Sequence, residues 1–417
     1  MTPAAPATRE PIHVDVLIIG GGMTASAAVV GVLSETPDAT IALIGEEPHP
    51  PYERPPLSKD LWSEEPPDLG AIQHDPDLFE GARLELGTRV TDLDPAAHLA
   101  TDARGRRWRY GRALLATGAT AHRPPFAKTY PQVTTFRTRD DFERLHARLA
   151  DAHRVTVVGG GFLGSELAAA LRTRGLELTM AFPERDLGAN LFPASLAARV
   201  TRRFRRDGVR VLPSTLVDEL VPLSSRDEGP IEVRSDGGDA WTADAVILAV
   251  GVAPNTALAE RAGIHVDDGI VVDDRFRTSA ADVYAAGDVA RFPAPVLGTM
   301  RVEHEDHAKT GGVHVGRVMA GHDAPYDHLP YFYSDLFDLG YEAVGRCDPR
   351  ADVLLDGPIA DADADALAAG VAYYLDEGRV RGVLTWNAFG HMDEARALIR
   401  AEHPLDPDAP RGPITLD

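Results

Sequence analysis

The chain has one cysteine, Cys347, among 417 residues. That excludes an intramolecular disulfide and any paired-thiol redox centre, so redox chemistry here has to be carried by bound cofactors. Cys347 itself reads as a small, half-buried hydrophobe. Long apolar runs are missing too, which removes a membrane-spanning helix. The opening MTPAAPATREPIH lacks a basic start followed by an apolar stretch, so a secretory signal is not expected and a cytoplasmic location is. Cations are scarce: 42 Lys and Arg stand against 64 Asp and Glu, a formal charge of −22. A broad nucleic-acid surface needs clustered positive charge, so nucleic acid is not an expected partner. No metal site is assigned.

What the sequence does have is glycine in two telling places. Val155–Leu171 reads VTVVGGGFLGSELAAAL. An apolar, β-branched strand, Arg154–Val158, runs into Gly159, Gly161 and Gly164, in the order G-x-G-x-x-G. The first glycine permits a tight turn, the second lets backbone approach a pyrophosphate, and the third lets helix pack closely on strand. A helix follows, with Gly175 as its stop, and Leu176–Phe182 reads as the next strand. The same device occurs earlier. Val14–Ile19 leads into Gly20, Gly22 and Ala25, then a small-residue helix, then the strand Thr40–Ile44 and Glu46. A carboxylate just past that strand is placed to hold a ribose hydroxyl pair.

The repeat extends further. Each glycine turn is followed, at similar distance, by an apolar strand ending in a second turn: LLATGAT with Thr117 and Gly118, and VILAVGVAP with Gly251. Two related nucleotide domains follow from this, suited to a flavin and a nicotinamide dinucleotide. Pro254-Asn255, just beyond, reads as a simple loop. The acidic, alanine-rich DPRADVLLDGPIADADADALAAG reads as a solvent-facing connection. Val371–Tyr374 and Val380–Trp386 read as strands joined at Asp376-Glu-Gly, and Asp393–Arg400 as a last helix.

These turns, together with TSAADVYAAGDVA at Thr278–Ala290, resemble the FAD-dependent pyridine nucleotide–disulphide oxidoreductase superfamily. PYERPPLSKDLW at Pro51–Trp62, FPERDLGANLFP at Phe182–Pro193, RVEHEDHA at Arg301–Ala308 and YFYSDLFDLGYEAVG at Tyr331–Gly345 resemble its apoptosis-inducing factor-like and oxygenase ferredoxin reductase-like branch, which lacks the redox disulfide. The resemblance implies an α/β fold of two Rossmann-like, FAD- and NAD(P)-binding domains plus a C-terminal α+β domain. The FAD domain would be discontinuous, residues 10–133 and 253–326. The NADH domain would be 134–252, and the C-terminal domain 327–417.

It also implies roles. Asp288, after Gly287, would hold the flavin ribityl chain. Arg54 would lie near the pyrophosphate and Lys59 near the flavin ring, where a cation favours the electron-rich reduced form. Glu166 would pair with Lys59, because a buried unpaired cation is costly. Glu303 and His304 would sit near the nicotinamide–flavin contact, at a helix start. Phe162 and Leu163 would flank the stacked rings. Phe332 and Tyr333 would stack at the site or be ordinary core aromatics. Glu184 would bind the adenosine ribose of NADH and repel a 2′-phosphate. The sequence departs from the branch at Glu305, where a histidine is usual, and at Tyr333, where a tryptophan is.

The implied activity is hydride transfer from NADH to FAD, with Lys59, Glu166 and His304 as the catalytic residues, and then electron delivery to an acceptor such as a quinone or a small iron–sulphur protein. One alternative is a ferredoxin or rubredoxin reductase. Another is a redox-sensing protein whose NADH-bound homodimer controls a partner. The run Arg199, Arg202, Arg203, Arg205, Arg206 and Arg210 would give an acidic partner a basic face, or be the wet face of a helix.

Overall fold

The structure, a computed structural model, describes residues 10–128, 130–224, 229–361, 367–409 and 411–416. The chain divides into two compact units. The first comprises Met1–Glu53, Gly70–Ala119 and Pro254–His328; the second comprises Arg54–Leu69, Thr120–Ala253 and Leu329–Asp417.

In the first unit, the strand Ile12–Ile19 lies at the centre of a seven-stranded sheet. It pairs in parallel with Ile41–Ile44 on one side and Arg107–Leu115 on the other. Its last four residues are all buried, as a strand covered on both faces requires. Val283–Ala285 joins the same sheet beside Arg107–Leu115. The helix Met23–Glu35 packs on the helix Glu305–Met319 at backbone distance. A Cβ added at Gly31 would lie 2.2 Å from the Val313 carbonyl, and one at Gly316 would lie 2.3 Å from that of Ala28. The small residues on both helices are what permit this approach.

The second unit repeats the plan. Arg154–Val158 lies between the parallel strands Glu177–Ala181 and Ala245–Leu248 of a five-stranded sheet. A three-stranded antiparallel sheet, Val217–Pro222, Ile231–Ser235 and Ala240–Ala243, accompanies it. The C-terminal part forms a five-stranded antiparallel sheet in the order Tyr331–Leu336, Leu339–Gly345, Arg379–Trp386, Gly370–Asp376 and Asp352–Asp356. Met392–Arg400 forms the last helix. The hairpin after Gly370–Asp376 turns at Glu377 and Gly378, both with positive φ (49° and 70°), the geometry a two-residue turn demands.

Three local expectations need correction. The acidic stretch after residue 347 is not merely a connection. Asp352–Asp356 is a strand paired with Gly370–Asp376, and Ile359 is buried; residues 362–366 lie outside the described residues. Its three apolar residues, Val353–Leu355, show no strand-like alternation and are flanked by acids, so the strand had no clear pattern. Pro254-Asn255 is not a simple loop. Asn255 Nδ2 donates to the Thr117 carbonyl at 2.8 Å, and Thr117 Oγ1 donates to the Asn255 carbonyl at 2.9 Å. The arginine run is not a uniform wet face. Arg199 and Arg203 are buried: Arg199 donates to the carbonyls of Ile359 and Asp361, and Arg203 pairs with Asp207 and Asp338.

Candidate functional site

The two glycine turns have matching geometry. Gly20 has φ +132° and Gly159 has φ +119°, values that favour glycine. A Cβ on Gly20 would lie 2.0 Å from the carbonyl oxygen of Ala116, and one on Gly159 would lie 2.1 Å from that of Ala249. Each first glycine therefore presses against the end of the neighbouring strand. Gly22 and Gly161 then cap the two helices with nearly the same backbone (φ −94°, ψ −169° and φ −82°, ψ −166°), and neither helix has a side-chain cap. The first N–H groups of both helices thus point to a place suited to an anion. Beside Gly161 a Cβ would meet nothing within 4 Å, so a phosphate can approach the backbone there. A Cβ on Gly164 would lie 2.3 Å from the Gly159 carbonyl oxygen, whereas its counterpart in the first unit, Ala25, is buried with its methyl group accommodated.

The first unit gathers Gly20, Gly22, Ala25, Glu46, Thr117, Gly118, Gly287, Asp288, Glu303 and His304. Glu46 follows the strand Ile41–Ile44 and is exposed, with Arg89 at 3.9 Å. Gly287 has φ +76°, and a Cβ there would lie 2.3 Å from Thr24 Oγ1. That contact brings Asp288, in the turn Gly287–Val289, to the start of the helix Met23–Glu35. His304 is the N-cap of Glu305–Met319, and Glu303 accepts from Arg301 Nη1 at 2.6 Å. Burial pushes the His304 imidazole down to about 4, against the pull of Asp288 and Asp306, so it is neutral at physiological pH.

The second unit gathers Arg54, Lys59, Gly159, Gly161, Phe162, Leu163, Gly164, Glu166, Glu184, Gly251, Phe332 and Tyr333. Its densest feature is the carboxylate of Glu166. Lys59 Nζ lies 2.7 Å from Glu166 Oε1 and 3.4 Å from Asp335 Oδ2. Ser334 Oγ donates to Glu166 Oε1 at 2.6 Å, and Ser58 Oγ donates to Oε2 at 2.7 Å. Three donors thus converge on one buried acceptor, an arrangement suited to an ionised carboxylate. The Tyr333 ring centroid is 5.2 Å from the Lys59 nitrogen, within reach of a cation–π contact. Arg54 Nη1 donates to the Arg137 carbonyl at 2.9 Å. Sequence reasoning found Lys59 and Glu166 but missed both serines and Asp335. The repeated SK and SD pairs, Ser58-Lys59 and Ser334-Asp335, carried no signal on their own.

Beside the second glycine turn lies a cleft of about 560 Å³, open to solvent. Gly160, Gly161 and Phe162 form one wall, Glu184 and Gly188–Phe192 another, with Leu336 and Tyr341 closing it. Phe162 is 47% exposed and meets Phe332 edge to face at 5.2 Å. An exposed aromatic beside a glycine turn is a platform for a flat ring. Gly251 has φ +90°, and its carbonyl accepts from His122 N at 2.9 Å.

Comparison with known proteins agrees with this doubled plan. Residues 14–312 match the family described as pyridine nucleotide-disulphide oxidoreductase. Mitochondrial apoptosis-inducing factor 1 of Dictyostelium discoideum is 33% identical over 416 residues, covering 92% of this chain and 77% of that protein. The 5,5′-dehydrodivanillate O-demethylase ferredoxin reductase subunit of a Sphingobium species is 33% identical over 397 residues, covering 93% of each. A ferredoxin reductase structure from Rhodopseudomonas palustris is similar with a TM-score of 0.86 at 28% identity, covering 94% of this chain and 96% of that one. The fold is that of a reductase with two dinucleotide-binding domains and a C-terminal domain. Two glycine cradles suit FAD and NAD(P)H, and a single cysteine leaves no thiol pair for a disulfide mechanism: the chain belongs to the pyridine nucleotide-disulphide oxidoreductase family and is an FAD-dependent NAD(P)H oxidoreductase.

Proposed function

We propose that the chain oxidises NADH and delivers the electrons to a small iron–sulphur protein. The observation that carries the redox half is the paired glycine turn, with Gly20 and Gly159 pressed on equivalent carbonyls in a chain with one cysteine. The acceptor follows from the relatives named as ferredoxin reductases. Bound FAD supplies a two-electron acceptor that can release electrons singly. The protein's own residues bind, orient and set charge. The helix starting at Phe162 offers N–H groups to the dinucleotide pyrophosphate, and Glu184 accepts the adenosine ribose hydroxyls. The helix starting at Met23, with Glu46 and Asp288, does the same for the flavin nucleotide. Lys59 contributes a positive charge that favours a reduced ring, and Glu166 keeps that cation in place. His304, neutral through burial, adds no competing charge. No general base is required at the hydride step. The three-domain division given above and a cytoplasmic location belong to this reading; no helix among the described residues is long and apolar enough to cross a membrane.

The test is turnover. With NADH in excess, purified protein should reduce a small ferredoxin at about 10 s⁻¹, an ordinary enzyme rate. A second reading, favoured by the match to apoptosis-inducing factor over 92% of the chain, is an NADH sensor that changes its oligomeric state. Slow turnover on every ferredoxin tried, with an NADH-dependent change in sedimentation, would replace the first reading by the second.

A further inference from the structure

Past the strand Glu177–Ala181, the chain lines the cleft beside the second glycine turn as a strap, residues 184–192. It is tied down at several points. Gly188 N donates to the Gly160 carbonyl at 3.0 Å, inside the glycine turn itself. Leu191 N and Phe192 N both return to the Gly188 carbonyl at 2.8 Å. Leu187 N donates to Thr201 Oγ1 at 2.9 Å, and Tyr374 OH donates to the Leu191 carbonyl at 2.7 Å. Gly188 has φ +67°, and a Cβ there would lie 2.4 Å from the Phe192 ring, so this turn needs glycine. The strap is therefore a fixed wall. It carries Asn190 to the rim, where Asn190 Nδ2 donates to Glu184 Oε1 at 3.0 Å.

We propose that Asn190 is the positioning residue that makes this cleft selective for an unphosphorylated adenosine ribose. The proposal rests on the reading of Glu184 as the ribose carboxylate. A glutamate on a rim samples many rotamers and loses that freedom when a ligand binds. The amide of Asn190 removes part of that cost beforehand by holding one oxygen. A carboxylate has about four acceptor positions, so one bond to Asn190 leaves room for the 2′- and 3′-hydroxyls. The amide is also neutral. It brings no cation to a 2′-phosphate, and it keeps the negative Glu184 where that phosphate would have to sit.

The experiment uses flavin-loaded full-length protein and titration calorimetry with ADP-ribose and 2′-phospho-ADP-ribose, which need no hydride transfer. Wild type should bind ADP-ribose more tightly. Asn190→Leu should weaken ADP-ribose about fivefold, the worth of one hydrogen bond, and bind the phosphorylated ligand at least as well as wild type does. Asn190→Gln, which keeps the amide, should recover most of the loss. An Asn190→Leu protein that binds both ligands as wild type does, or that loses both equally, overturns the proposal; the second result would mark the residue as part of the strap's structure only. Wild type that fails to prefer ADP-ribose, or a preference unaltered in Glu184→Ala, would overturn the ribose reading itself, and that failure is seen without any change at Asn190.

Discussion

At residue 166 the protein keeps a carboxylate almost out of water and surrounds it with donors from two distant segments. Ser58 and Lys59 come from one, and Ser334 lies 168 positions further along the chain. Removing one partner of such a pair leaves the other charged, largely out of water and without its nearest counter-charge. Glu166→Leu or Lys59→Met alone should each cost about 3–5 kcal/mol, and the double variant should cost less than either, because no charge is then stranded. Denaturant midpoints across this double-mutant cycle check it; losses that simply add would show the pair is not coupled. Lys59 and Glu166 were legible because each sits in a segment with a recognisable pattern, PYERPPLSKDLW and GGGFLGSELA. Ser58, Ser334 and Asn190 were not. A hydroxyl or amide becomes functional only through what it touches, and these contacts join residues that the sequence does not connect. Asp335 escaped for the same reason, as one acid among many.

Among the elements, the strand–glycine–helix units were the most legible. Tight geometry forces the residue type there: positive φ and a carbonyl about 2 Å from the missing Cβ leave glycine alone at positions 20 and 159. The strand Asp352–Asp356 was much less legible. It is short and acidic, and it is defined by pairing with Gly370–Asp376, which its own residues do not announce. The helix Glu305–Met319 shows a third case, in which the element was expected but its chemistry was not. His307 on that helix is fully buried, stacked on Phe292 at 4.3 Å, with Nδ1 3.2 Å from Tyr326 OH. Burial pushes its imidazole down to about 3. An unfolded chain protonates histidine near pH 6.5. Between those values the unfolded state binds the extra proton, so stability is full above about pH 6.5 and falls as the pH drops toward 3. His307→Phe should flatten the stability–pH curve between pH 6 and 4 by up to about 1.4 kcal/mol per pH unit. Chemical denaturation of both proteins across that range measures it; identical slopes would mean that His307 is protonated in the folded state.

Over the whole molecule, the sequence carried the doubled plan because duplication repeats spacing as well as residues. What it could not carry was the use of the arginine run. Six arginines read as a basic face for a partner or as the wet face of a helix, but Arg199 and Arg203 are consumed inside the second unit, leaving Arg202, Arg205, Arg206 and Arg210 exposed. Four cations on a chain of charge −22 make a local patch at most, and any attraction it gives an acidic partner should weaken with salt. Beneath the question of the acceptor lies the central claim, that each glycine turn holds its own dinucleotide and that electrons pass from one to the other. The flavin absorbance of purified protein under anaerobic NADH tests it most directly. Wild type should be yellow and bleach on adding NADH, Gly159→Ala should be yellow and fail to bleach at the same NADH concentration, and Gly20→Ala should be colourless. Wild type that carries no flavin after reconstitution, or carries it and never bleaches, would contradict the account.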